Sequence, residues 1–203
     1  AWQEALDTAR SGAALQPPAW SWRPQQPWDP INQRWDAEAP HAWHARHRIV
    51  VLVDEREPRE HQQKQVQYVA NGVRYRTATL ATGDFLFLVE PPDASDQSAL
   101  EGKRVLPLVI ERKTPGDLDA SITDLRFGSQ KKRMLASRLG HMMYLIEGEY
   151  SQLTPVQKAK LDELALCDGF HLVFTTNHWK TACLLGQLAR LLNAQIEAGD
   201  IDV

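Results

Sequence analysis

The chain has 203 residues, 43% hydrophobic and 24% charged, which suits one domain of roughly 150 residues with a surplus segment, and it can build a core without disulfides or a structural metal. Its 23 basic and 26 acidic residues give a net charge of −3, which excludes a globally cationic nucleic-acid coat but not a local basic surface. No apolar run approaches the ~18 residues of a membrane span, and no basic start leads into an apolar stretch, so no secretory signal is read. Cys167 and Cys183 form no CxxC pair, which points to a reduced intracellular setting.

Residues 1–47 stand apart. They hold six of the seven tryptophans and six of the twelve prolines, including Pro17-Pro18. Residues 1–15 can form a short helix; beyond them proline favours extended backbone. A linker should be poor in aromatics, so the segment reads as an extended Trp/Pro-rich arm. Its indoles can pack on their own domain, meet a partner protein, or stack on single-stranded bases. His41, His44 and His47 lack further ligands nearby and read as solvated. From residue 48 strands and helices alternate. Ile49–Val53 is a buried strand, Glu60–Ala70 a surface helix, and Val73–Leu80 and Phe85–Val89 are strands joined at Thr82-Gly83. Pro91–Lys103 is a loop and Val105–Ile110 another buried strand. Thr114-Pro115 starts a helix running to about Thr123, and Gln130–Leu139 forms the next. Met143–Ile146 is a strand, Pro155–Leu166 a helix, Leu172–Thr175 a strand and His178–Ala198 a long helix. The layout is α/β with a central sheet. Ala1 and the closing Gly199-Asp200-Ile201-Asp202-Val203 read as cuts in a longer protein, with 199–203 opening a linker to a further domain.

Acidic residues gather at strand ends. Asp54 closes the first strand with Glu57 three residues on, Asp84 follows Gly83, and Glu111 closes Val105–Ile110. If that strand continues, alternation projects Glu111 and Lys113 to one face and Arg112 to the other. Carboxylates of this kind suit Mg²⁺ or Mn²⁺, and a lysine beside the ion can act on an attacking water, as metal-assisted phosphodiester hydrolysis requires. An ordinary Glu–Lys ion pair on the sheet is the plainer alternative.

Gly83-Asp84 followed by Glu111-Arg112-Lys113-Thr114-Pro115-Gly116-Asp117 resembles the GD…ERKxxxD signature of the XPF/MUS nuclease family, which cuts flaps, forks and branched DNA. Val53-Asp54-Glu55-Arg56-Glu57 is similar to its VDxRE strand end, Ser121–Phe127 with Gln130-Lys131 to its SIxDxRFxxQK stretch, and Tyr144-Leu145-Ile146-Glu147 to a later core strand. The likeness spans about residues 48–195, within a nuclease domain of 48–198, and favours the MUS-type branch because the 91–103 loop is long. It implies a restriction-endonuclease-like fold, a central mixed sheet flanked by helices. It implies Asp84 and Glu111 as primary metal ligands, Asp54 and Glu57 completing the cluster, and the Arg112 carbonyl as an extra ligand. It further implies Lys113 acting on the nucleophilic water, Arg56 pairing with the cluster or the scissile phosphate, and Asp117, Asp124 and Arg126 bracing the site. Mg²⁺ or Mn²⁺, a branched or flapped DNA substrate and a nuclear setting follow from the same likeness.

Between Arg126 and Arg138 lie five basic residues, Arg126, Lys131, Lys132, Arg133 and Arg138, and no acid. Such a stretch is a solvated helix face or a local surface for phosphate; beside the acidic pocket, phosphate binding is the better reading. Family members pair, and the apolar faces of Pro155–Leu166 and His178–Ala198 are the expected surfaces of a homo- or heterodimer. Two other roles are open: a non-catalytic partner subunit of the same fold, and an interaction module whose working part is the tryptophan arm. The intact carboxylates and Lys113 favour the catalytic role.

Overall fold

A computed structural model of the chain describes residues 48–56, 68, 71–90 and 104–201. The N-terminal arm, Glu57, most of the 60–70 helix and the 91–103 loop lie outside the described residues. Among the described residues six strands are β1 (Arg48–Asp54), β2 (Tyr75–Ala78), β3 (Phe85–Glu90), β4 (Arg104–Lys113), β5 (His141–Glu147) and β6 (His171–Thr175). The α-helices among these residues are α1 (Pro115–Thr123), α2 (Arg126–Ala136), α3 (Pro155–Cys167) and α4 (His178–Ala198). The strands form one mixed sheet ordered β2-β1-β3-β4-β5-β6. The β1–β3 and β3–β4 pairs are antiparallel and the others parallel.

Alternation along the strands supplies a core to each face. On one face Val51, Phe85, Phe87, Ile110 and Leu145 pack against Ala182, Leu185 and Ile196 of α4. On the other, Val109, Tyr144 and Ile146 meet Leu118 of α1, Phe127 and Met134 of α2, and Leu161 and Leu164 of α3. The α/β sheet flanked by helices is therefore as the sequence leads one to expect.

Helix starts follow their capping residues. Thr114 accepts from the Asp117 amide, Asp117 returns the bond, and Pro115 takes the first turn; Thr154, Pro155 and Gln157 repeat the arrangement for α3. Several boundaries differ from expectation, two of them next to the acidic cluster. Helix α2 begins at Arg126 rather than near Gln130, after Leu125 in a left-handed conformation at φ 64°. Strand β4 runs past Ile110 to Lys113, because Glu111, Arg112 and Lys113 each find a partner.

Candidate active site

The C-terminal ends of β1 and β4 and the N-terminal end of β3 converge at one end of the sheet. Backbone bonds lock them: the Asp54 amide donates to the Asp84 carbonyl at 3.0 Å, and the Asp84 amide to the Ile110 carbonyl at 2.7 Å. The Arg112 amide then donates to Asp84 Oδ2 at 2.7 Å. Gly83 makes this approach possible. Its φ is +69°, and a Cβ there would lie 2.4 Å from Val109 Cγ2 and 2.9 Å from the Ile110 carbonyl oxygen. The structure thus brings together Asp54, Asp84, Glu111, Arg112 and Lys113.

Glu111 is 3% exposed. Its Oε1 accepts from Lys113 Nζ at 3.1 Å and from Gln130 Nε2 at 2.5 Å. Burial pushes the Glu111 carboxyl above the usual carboxylate range, although Lys113 and the charge of Arg133 pull the other way. At Asp54 burial also pushes upward, but hydrogen bonds and charge from Arg56 prevail and the carboxyl is held low. The Arg56 guanidinium reaches both Asp54 oxygens, Nη2 at 2.5 Å, and its Nη2 also donates to the Leu80 carbonyl. Of the bracing residues, Asp117 caps α1, and Asp124 accepts from the Arg126 amide and side chain at the start of α2.

Arg112 sends its side chain to the opposite face, as alternation requires. There its guanidinium donates to Glu147, which also meets His178 Nδ1 at 3.0 Å. The three side chains are 6–8% exposed. Burial raises the Glu147 carboxyl, but Arg112 and His178 outweigh it and hold it far below the usual range. Sequence reasoning assigned no role to Glu147, His178, Gln130 or Tyr144; strand parity with the β4–β5 register could have found Tyr144 and Glu147, whereas Gln130 and His178 reach the sheet from α2 and α4.

The basic stretch divides. Lys131 Nζ is bound by Glu163 at 3.1 Å and Asp168 at 2.8 Å on the α3 side, so its charge is already matched inside the protein. Lys132, Arg133 and Arg138 are exposed, and Arg133 bears electrostatically on Glu111.

Among the described residues no three His, Cys, Asp or Glu side chains form a ready metal cage. The residues present still fit a hard divalent ion. Mg²⁺ keeps several waters and binds through one or two carboxylates plus substrate phosphate. Here the donors are carboxylate oxygens, and the buried Tyr144 hydroxyl and Gln130 carbonyl have no hydrogen-bond partner among the described residues.

The ERCC4 domain profile matches residues 53–188. The chain is similar to the crossover junction endonuclease MUS81 of Kluyveromyces lactis, 26% identical over 136 residues, which is 64% of this chain and 21% of that protein. It is similar to the structure-specific endonuclease subunit MUS81 of Rattus norvegicus, 31% identical over 123 residues, 58% of this chain and 22% of that protein. The chain therefore spans about a fifth of these relatives' length. Among solved structures, XPF from Aeropyrum pernix superposes with a TM-score of 0.53 at 27% identity, covering 70% of this chain and 65% of that one. The same protein in complex with DNA gives a TM-score of 0.54 at 27% identity, covering 72% and 66%.

Proposed function

Because this chain belongs to the ERCC4 domain family, we propose that it is a subunit of a structure-specific DNA endonuclease that hydrolyses phosphodiester bonds near flaps, forks or junctions during repair and recombination. Nucleases of the family are generally metal-dependent. The observation that carries the proposal is the meeting of Asp54, Asp84 and Glu111 at one sheet end with Lys113 held on Glu111.

Asp84 and Glu111 would hold Mg²⁺ or Mn²⁺, with Asp54 and the Arg112 carbonyl beside them and Glu57 joining from the adjoining segment. The bound ion supplies Lewis-acid activation of water and charge neutralisation at the phosphate. Lys113 would orient the attacking water, and its positive charge would favour loss of that water's proton to solvent. Lys132 and Arg133 on the exposed side of α2, and the exposed Arg138 just past its C-terminal end, offer charge to the DNA backbone. Arg126 and Arg56 keep the flanking acids in place. Dimerisation through α3 and α4 is favoured by apolar side chains left in solvent, Val156, Leu166 and Trp179. No described helix is long and apolar enough to cross a membrane, and the nucleus is the proposed location.

The test is cleavage of labelled 3′-flap and fork DNA with Mg²⁺ or Mn²⁺. The wild type should cut, alone or mixed with its partner subunit. Asp84→Asn and Lys113→Ala should not cut while binding DNA within a few-fold. Normal cleavage by either variant refutes the assignment.

A further inference from the structure

Tyr144 stands opposite Glu111 in the parallel β4–β5 register, so both side chains project to the face covered by α1, α2 and α3. The residue is 1% exposed. Its ring packs edge-on against Phe127 at 5.8 Å and Phe170 at 6.4 Å between centroids. Its hydroxyl has no hydrogen-bond partner among the described residues. Buried phenols normally find one, and a phenylalanine would fill the same volume without an orphaned donor. Burial first, then the charges of Glu111 and Asp84, push this hydroxyl well above the ordinary tyrosine range. It therefore stays a proton donor, within electrostatic reach of both carboxylates. The Gln130 carbonyl is a second buried group without a partner, although its amide nitrogen binds Glu111. Two buried polar groups next to the acidic cluster are thus unsatisfied among the described residues.

Hydrogen-bond bookkeeping at Glu111 gives the hydroxyl a purpose. In the resting arrangement Oε1 accepts from Lys113 and Gln130. A lysine that turns to an attacking water withdraws from that oxygen and leaves it one donor short. Tyr144 carries a buried donor on the same face to take its place. We propose that Tyr144 is a positioning residue of the nuclease centre, donating its hydroxyl to the Glu111 carboxylate when Lys113 engages the water and so keeping Glu111 aimed at the divalent ion. The proposal rests on the metal-dependent nuclease reading above.

Tyr144→Phe in the full chain tests it, with Asp84→Asn beside it. Three quantities are read: Mn²⁺ affinity from the electron paramagnetic resonance of free Mn²⁺, the single-turnover cleavage rate against DNA affinity, and the melting temperature without metal. Tyr144→Phe should weaken Mn²⁺ binding and slow cleavage by about ten-fold, the usual effect of losing an outer-shell partner. DNA affinity should hold within about two-fold, and the metal-free melting temperature should stay or rise, since an orphaned polar group is removed. Wild-type Mn²⁺ affinity and cleavage in Tyr144→Phe would overturn the proposal. So would a lower metal-free melting temperature, which would mean that the hydroxyl is already paired in the resting fold. If the wild type binds no Mn²⁺, or Asp84→Asn binds it equally well, the metal reading itself has failed. If Asp84→Asn loses Mn²⁺ and Tyr144→Phe keeps it, only the Tyr144 assignment falls.

Discussion

Glu147→Gln exposes how the charged end of β4 is tolerated inside the fold. Glu147 lies between the Arg112 guanidinium and His178 Nδ1, with the Thr181 hydroxyl beside it. Glutamine keeps the shape and an acceptor but removes the charge that faces a guanidinium only 6% exposed. Breaking one side of a buried pair costs about 3 kcal/mol at the lower end, which lowers the melting temperature of a domain this size by roughly 6–12 °C. The sign with pH follows from the depressed carboxyl. A group held low in the fold stabilises fully above its unfolded pKa, and that stability is lost as pH falls toward the folded value. The gap between wild type and variant should therefore be full at pH 7. Below about 4.3 it should narrow by ~1.4 kcal/mol per pH unit, leaving roughly 1 kcal/mol at pH 3. Urea unfolding at both pH values measures it. Circular dichroism is the right probe, because six of the seven tryptophans lie in residues 1–47 and fluorescence would report mainly on them. Equal stability at pH 7, or a gap that does not change between pH 7 and pH 3, would refute the reasoning.

Removing Lys132 and Arg133 together should flatten the salt dependence of DNA binding by roughly two in log–log slope. Lys131→Ala should leave the slope unchanged and cost about 1 kcal/mol of stability instead, because Glu163 and Asp168 already hold that ammonium; a slope that falls equally in both would put Lys131 on the DNA. Gly83→Ala should destabilise by about 2–4 kcal/mol, combining a left-handed φ with overlap against Val109 and the Ile110 carbonyl. It should also lower cleavage, since the Asp84 amide is bonded to that same carbonyl; a Gly83→Ala protein that melts with the wild type would contradict this geometry.

The strands were legible wherever burial is one-dimensional. Ile49–Val53 and Val105–Ile110 are apolar runs, and a chain places such runs inside a sheet whatever surrounds them. The continuation of β4 through Glu111, Arg112 and Lys113 was not decidable locally, because three successive charges ordinarily end a buried strand. They continue it here because Lys113 lies on Glu111 and Arg112 reaches Glu147, a residue 35 positions away. The start of α2 was missed for a related reason. Its N-cap is Leu125, which offers no side-chain acceptor, while the adjacent Asp124 accepts the Arg126 amide. Cap signals read Ser, Thr, Asp or Asn at the cap itself, and Leu125 is none of these.

The site divides along the same line. Asp54, Asp84, Glu111 and Lys113 were visible because each sits at a strand end in a short motif, and motifs survive without knowledge of the neighbours. Tyr144 and Gln130 acquire meaning only once β5 is laid beside β4 in register and α2 is placed over that face. The basic stretch makes the point most sharply. Lys131 and Lys132 are adjacent and chemically identical, so counting charge assigns them one role. One residue of helix is a rotation of about 100°, and that turn carries Lys131 to the acids of α3 and leaves Lys132 in solvent. Charge in a sequence measures how much a surface can offer; only the packing of the neighbouring helix decides how much of it is still on offer to a phosphate.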